Sequence, residues 1–270
     1  SMAETSVAEG PMVESRRVRL LDLFARIDDA RFLGSSTVAV TNLSYRSDRV
    51  ASGHLFFCVP GFVRDGHDFA ADAVERGAAA LCVERPLELP VAQVVVPSVR
   101  AAMGPAAAAF YGDPSSKLLT VGVTGTNGKT TSAFLLAHLL DRANLRAGLL
   151  GTIERRVGGE PSPADRTTPE ALDVQHDLAA MVAAGDHAVV MEVSSHALDL
   201  QRVLGVDFRV VGFTNLTQDH LDYHETLDAY FQAKRRLFVD PAYTGGQQAA
   251  VINVDDAHGR ALAAEIPLSR

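Results

Sequence analysis

From about residue 37 onward the chain alternates short, uninterrupted apolar runs with turns rich in Gly, Pro and Asp. The runs LFFCVPG (55–61), ALCVE (80–84) and VAQVVVP (91–97) predict three strands in the first part. LLTVGV (118–123), GLLGT (148–152), AVVMEV (188–193), FRVVGF (208–213) and AAVINV (249–254) predict five more in the second. They are continuously apolar instead of alternating, which marks strands buried on both faces and therefore mostly parallel sheets wrapped by helices. Helical patterns lie between them: FAADAVERG with its Gly stop, the alanine-rich stretch of residues 101–111, and TTSAFLLAHLLDRA (130–143). The fold class read from this is α/β: a small N-terminal α/β domain at 16–112 without a nucleotide fingerprint, followed by a P-loop central domain at 113–270. In the latter a mostly parallel sheet is flanked by helices. The junction is placed in 98–116, where the alanine-rich helix closes on Gly-Asp-Pro. Residues 1–15, polar and without periodicity, read as a flexible leader.

Composition narrows the functional classes. The 270 residues are 47% hydrophobic and 21% charged, enough to bury a core. With 33 acidic and 25 basic side chains the formal net charge is −8, which argues against sequence-independent nucleic-acid binding. No apolar run approaches the roughly 18–20 residues of a membrane span, and no secretory pattern opens the chain, so no membrane insertion and a cytoplasmic location are expected. Cys58 and Cys82 sit in apolar contexts and read as small core residues. Only three of the 25 basic residues are lysine, Lys117, Lys129 and Lys234. Against such an arginine-rich background each lysine marks a place where a compact, titratable amine can matter.

The strongest motif is Gly125-Thr126-Asn127-Gly128-Lys129-Thr130-Thr131, between an apolar strand and an amphipathic helix. Glycines let backbone N–H groups curl around phosphate oxygens, and the helix N-terminus adds its positive end. Lys129 would neutralise the β- and γ-phosphates of ATP, and the Thr130 hydroxyl would bind Mg2+. The common phosphate loop has glycine where this chain has Val123, so the sequence fits a shorter GTNGKT form.

Further chemistry is expected at the carboxyl ends of neighbouring strands. AVVMEV carries Glu192 near its end, and a carboxylate in an apolar strand is costly unless it binds a metal or is paired in a structural ion pair. After FRVVGF comes a loop with two acids and two histidines, Asp219, His220, Asp222 and His224. Position just beyond the strand points His220 toward a metal site, although spacing alone does not favour histidine for magnesium, and His224 reads as a polar loop residue. Between Leu227 and Phe238 apolar residues fall at helical spacing, and at about 100° per residue Lys234 lies about 20° from Leu227, inside the apolar stripe. Such a lysine either snorkels to the surface or loses its proton to desolvation. A neutral amine there is a nucleophile able to capture carbon dioxide as a carbamate.

Six segments in order, GVTGTNGKTT, TTPEALDVQ, MEVSSHALDLQRV, TNLTQDHLDYH, AYFQAKRRLF and VINVDD, resemble the Mur ligases of peptidoglycan synthesis. The resemblance covers about residues 37–265. TTP-x-x-x-D-V-Q and LFFCVPGFVRDGHDF are most similar to the branch that extends UDP-MurNAc-L-Ala-D-Glu. It implies an ATP-dependent carboxylate–amine ligase: a substrate carboxylate takes the γ-phosphoryl group, and an amine then displaces phosphate from the acyl phosphate. It further implies Lys129, Glu192, His220 and Lys234 as catalytic residues, with a first Mg2+ on Thr130 and Glu192. A second would sit on His220 and a carbamylated Lys234 (N6-carboxylysine), which lie 14 residues apart. Thr167, Thr168, Ser194 and Arg202 would contact the UDP-MurNAc-dipeptide. Ser47 and Phe62-Val63-Arg64 would hold its uridine end, and Asn253 would lie near the adenosine. An amino acid is the other partner, and a monomer is expected.

Two departures accompany the resemblance. The family's first-domain Asp-Ser-Arg signature stands here as Arg46-Ser47-Asp48-Arg49, and nothing after Arg270 supplies the family's C-terminal amino-acid-binding domain. The chain is therefore expected to be an N-terminal plus central-domain fragment or a short form. A folylpolyglutamate-type ligase and a non-catalytic nucleotide-binding relative stand as alternatives. A regulatory GTPase is disfavoured because no Asn-Lys-x-Asp segment is present.

Overall fold

Each apolar run read as a strand is one in the computed structural model, which describes residues 16–61, 63–217, 226–244 and 248–267. The first half contains β1 (Val18–Arg19), α1 (Leu20–Leu23), β2 (Arg31–Leu33), β3 (Ala39–Val40), β4 (Asn42–Ser44), β5 (His54–Phe57), α2 (Ala70–Glu75), β6 (Ala80–Val83), β7 (Ala92–Val95) and α3 (Val99–Tyr111). Five of these strands form a sheet in the order β2-β7-β6-β5-β4, parallel except for β2. Alternate residues feed two cores. Leu55 and Phe57 join α1 and α3 on one side, while Phe56 and Cys58 join α2 on the other. Fully burying a side chain of this size stabilises by roughly 1.5–3 kcal/mol, so a strand apolar on both faces is best placed in the middle of such a layer.

The second half contains β8 (Leu119–Thr124), α4 (Lys129–Arg142), β9 (Ala147–Leu150), β10 (Glu154–Val157), β11 (Glu160–Pro163), α5 (Ala171–Ala183), β12 (Ala188–Glu192), α6 (Ser195–Asp199), β13 (Val210–Phe213), α7 (Leu227–Val239), β14 (Ala249–Ile252) and α8 (Ala257–Glu265). Its sheet runs β11-β10-β9-β12-β8-β13-β14, with β9, β12, β8, β13 and β14 parallel. Val189 and Met191 pack into the core on one face of β12, Ala188 and Val190 on the other.

The hydrophobic pattern did not reveal the hairpin β10–β11, because Glu154-Arg155-Arg156-Val157 of β10 is charged and its partner β11 is the edge strand of the sheet. Its one local sign is Gly158-Gly159, whose positive φ values of 62° and 87° suit a two-residue hairpin turn. Pro161 and Pro163 fall on β11, where an edge position tolerates the missing N–H.

Helix α3 lies within residues 98–116. Ser98 caps it by accepting the Ala101 N–H at 3.2 Å, and Gly112 ends it with φ 74°. Its buried residues share one core with the first sheet and with Ala171, Leu172 and Ala179 of α5. The phenol of Tyr45 also crosses to α5, donating to Asp173 at 2.7 Å. Burial raises the Asp173 carboxyl above its ordinary range, although the Tyr45 hydrogen bond opposes the shift. The two halves thus meet through a shared helix. Among the described residues no helix is long and apolar enough to cross a membrane. The leader read at residues 1–15 lies outside the described residues.

Candidate functional site

Parallel pairing aligns the carboxyl ends of β9, β12, β8, β13 and β14, and the register sets Glu192 of β12 beside Val123 of β8. Val123 also pairs with Gly212, and its side chain packs with Ala133 and Ala137 of α4. The position where longer phosphate loops have glycine is therefore interior strand here. Only residues 125–128 bridge β8 and α4.

This short loop is shaped by the segment after β13. The Thr126 N–H donates to the Asn215 carbonyl at 2.8 Å, and the Asn127 N–H donates to Asn215 Oδ1 at 3.0 Å. Thr214 Oγ1 donates to the Asn127 carbonyl at 2.7 Å, and the Thr217 N–H donates to Thr126 Oγ1 at 3.0 Å. Gly128, with φ 84°, stands at the N-cap of α4, whose first N–H groups have no partner within the helix. Thr214, Asn215 and Thr217 brace the loop, and the sequence reading passed over them in favour of the acids and histidines that follow them. Their signal was a run of short polar side chains directly after a buried strand.

Two lysines converge on this loop. Lys129 Nζ donates to the carbonyls of Gly125 and Thr126, each at 3.0 Å, and Lys234 Nζ donates to the same Gly125 carbonyl at 2.8 Å. Lys234 lies on the buried face of α7 with Tyr230, Phe231, Leu237 and Phe238, and is 1% exposed. Its amine stands 4.5 Å from the centre of the Tyr230 ring. The helical periodicity placed this side chain correctly, and it does not snorkel to solvent.

Glu192 is fully buried. Its carboxylate accepts the Thr130 hydroxyl at 2.9 Å, the Thr152 N–H at 2.9 Å and the Thr152 hydroxyl at 3.1 Å. Among the described residues these partners are neutral, so the structural ion pair weighed as an alternative is absent. Thr130 and Glu192 together present a hydroxyl and a carboxylate at the head of the phosphate loop. Such oxygen donors match the demands of magnesium, which keeps several waters and needs few protein ligands. Among the described residues there is no cluster of three or more His, Cys, Asp and Glu side chains suited to a metal.

The residues expected to meet a peptide lie immediately beside Glu192. Thr168 Oγ1 donates to the Glu192 carbonyl at 2.8 Å and accepts the Ser194 N–H at 3.2 Å. Ser194 Oγ in turn accepts the Ala197 N–H at 3.1 Å, capping α6. Thr167 and Thr152 hydroxyls are 3.0 Å apart. Arg202 pairs with Glu170 at 2.9 Å, while its buried Nε has no hydrogen-bond partner among the described residues. Around the rim, Asn253 Nδ2 donates to the Thr214 carbonyl at 2.8 Å. Asp256 accepts the Leu216 N–H at 3.1 Å together with the N–H groups of His258 and Gly259 at the start of α8. Burial works to raise the Asp256 carboxyl, but these backbone donors outweigh it and hold it below its usual range.

Thr131 is exposed on the first turn of α4. The residues expected at the uridine end make their contacts within the first half. Ser47 begins a turn, Val63 is 94% exposed, and the Arg64 guanidinium is 6.0 Å from the Phe69 ring centre. Phe62 and His220, with Asp219, Asp222 and His224, lie outside the described residues.

Residues 123–269 match the family model described as Mur ligase middle domain, and residues 39–111 match that described as Mur ligase family, catalytic domain. A UDP-N-acetylmuramoyl-L-alanyl-D-glutamate–2,6-diaminopimelate ligase of Geobacter metallireducens is 45% identical over 253 residues, covering 92% of this chain and 50% of that protein. One of the same name from Geobacillus thermodenitrificans is 49% identical over 220 residues, covering 80% of this chain and 45% of that protein. A solved structure of a ligase so named superposes with a TM-score of 0.76 at 28% identity, covering 94% of this chain and 51% of the other. The chain spans about half the length of the curated relatives it matches.

Proposed function

The chain belongs to the Mur ligase family, and on that premise we propose that it forms the ATP-binding and acceptor-binding part of a ligase that joins an amino acid to UDP-MurNAc-L-Ala-D-Glu. The amine is 2,6-diaminopimelate in the names of the relatives, and we assign it to this reaction as well. One observation carries the reading: a phosphate loop, an oxygen ligand pair and a peptide-facing cluster share one sheet rim, joined through Glu192. We place the activity in the cytoplasm, where ATP is available. Residues 16–112 form the uridine-binding domain in this reading, and residues 113–270 the ATP-binding domain.

The chemistry asks mainly for positioning and for neutralised charge. Thr167, Thr168, Ser194 and Arg202 hold the acceptor so that its carboxylate faces the γ-phosphate. The carboxylate oxygen bonds to phosphorus as ADP leaves; the incoming amine bonds to the acyl carbon, and phosphate departs. Lys129 exchanges its loop carbonyls for phosphate oxygens. Thr130 and Glu192 would hold magnesium, which when bound would supply further positive charge against the triphosphate. Asn253, fixed on the carbonyl after β13, borders the adenosine.

Phosphate release from ATP should require the UDP-linked dipeptide and the amino acid together. Release at full rate without the amino acid would overturn the assignment.

Lys234 has a second role in this proposal. Its buried amine would add carbon dioxide, losing a proton, and the carbamate together with His220 would be the residues that hold a second magnesium. Lys234→Ala should lower ligase activity by about 100-fold or more, and formate or acetate should restore part of it. Rescue by neither acid, with an unmodified amine in a metal-bound crystal, would remove the carbamate.

A further inference from the structure

Thr152 was not among the expected site residues, yet it makes more contacts to Glu192 than any residue of the phosphate loop. It stands directly after Gly151, between β9 and the hairpin β10–β11, and its side chain faces solvent. Its N–H bonds one carboxylate oxygen of Glu192 and its hydroxyl bonds the other, at 2.9 and 3.1 Å. The two bonds together fix the plane of the carboxylate, which the single bond from Thr130 cannot do.

The direction of the hydroxyl network follows from proton count. A carboxylate oxygen accepts, so Thr152 Oγ1 is the donor to Glu192 Oε2. The same hydroxyl also donates to Thr167 Oγ1, 3.0 Å away, so its one proton is shared between the carboxylate and the acceptor-side hydroxyl. Thr152 thus stands between Glu192 and Thr167 as the donor to both, and the two acceptors compete for one proton, while Thr130 donates to Glu192 from the other side.

We propose that Thr152 is a positioning residue that orients the Glu192 carboxylate for the divalent cation and couples it to the acceptor-side hydroxyl of Thr167. This rests on the functional reading above, in which Glu192 is a magnesium ligand and Thr167 meets the acceptor. Binding of acceptor at Thr167 would then alter the carboxylate that faces the nucleotide, and occupation of one site would be felt at the other.

The test measures Mn2+ binding to this chain by electron paramagnetic resonance, in the presence of a non-hydrolysable ATP analogue. Thr152→Val keeps shape and removes the hydroxyl; because the side chain is exposed, the fold should survive, and a thermal melt checks that. Manganese affinity is expected to fall about tenfold to 150-fold in Thr152→Val, the usual range for one hydrogen bond to a charged group. Thr152→Ser should stay near wild type. Thr167→Val leaves the Thr152 proton to Glu192 alone and should strengthen binding in the wild-type background, with less effect beside Thr152→Val, the non-additivity of a shared network. Wild-type affinity in Thr152→Val, or equal losses in the Ser and Val variants, would overturn the proposal. Full additivity with Thr167→Val would remove the coupling. Failure of the unaltered chain to bind manganese with the nucleotide would instead reject the functional reading itself.

Discussion

Replacing Lys129 by alanine should weaken binding of the magnesium complex of ATP by about 10- to 100-fold, the scale of one or two charge-assisted hydrogen bonds lost. The fold should persist. Lys129 is partly buried at the start of α4, and its amine bonds two loop carbonyls that water can reach once the side chain is gone. Alanine is also the better helix former, so α4 itself is not weakened. Titration calorimetry of the chain with the nucleotide measures the effect, and a thermal melt separates it from unfolding. An unchanged affinity would mean that the loop does not hold the triphosphate. Lys129→Arg is a sharper variant: it keeps the charge, but the planar fork is larger than the ammonium and reaches different geometry, so it should rescue only in part.

The second large effect is expected on stability. Gly125 has φ 145°, a conformation essentially closed to other residues, and a Cβ built there would lie 1.9 Å from Thr214 Oγ1 and 3.1 Å from the Asn215 backbone. Gly125→Ala must therefore either strain its own backbone or push the β13 loop away from the phosphate loop, breaking the bonds from Thr214 and Asn215 that shape it. Strain of this kind costs about 1–3 kcal/mol before the clash is added. At roughly 2–4 °C per kcal/mol for a chain of this size, the melting temperature should drop by about 5–15 °C. Nucleotide binding should fall with it, since the Gly125 carbonyl that receives both lysines would move. Gly128→Ala provides the contrast. Its φ is also positive at 84°, but nothing lies within 4 Å of the added carbon, so only the milder left-handed cost of about 1 kcal/mol should appear. Equal melting temperatures for the two variants would show that the contact with Thr214 is unimportant.

Local pattern made several features of this protein legible before any coordinates. Continuous apolar runs became strands because burial on both faces is encoded in consecutive side chains. The phosphate loop was readable because glycine, lysine and threonine act there through their own backbone freedom, charge and hydroxyl. The burial of Lys234 followed from its place in a stripe of period about 3.6, which needs no knowledge of the partner. Glu192 stood out because an acid in such a strand demands a compensating neighbour.

The neighbour's identity was a different matter. That Thr152 meets Glu192, that Thr214 and Asn215 brace Gly125, and that α3 is shared by both halves all depend on strand order. β8 lies between β12 and β13 while β9 lies beyond β12, and hydrogen bonding between parallel strands leaves no mark in the spacing of residues along the chain. The charged hairpin β10–β11 escaped for a related reason: an edge pair is held by backbone bonds and a two-glycine turn, with little apolar surface to announce it. Residue types and periodicity determined the elements and the chemistry available to them. The packing of one strand beside another decided which of those groups share a site, because that choice is made by core volume and backbone pairing across the whole sheet.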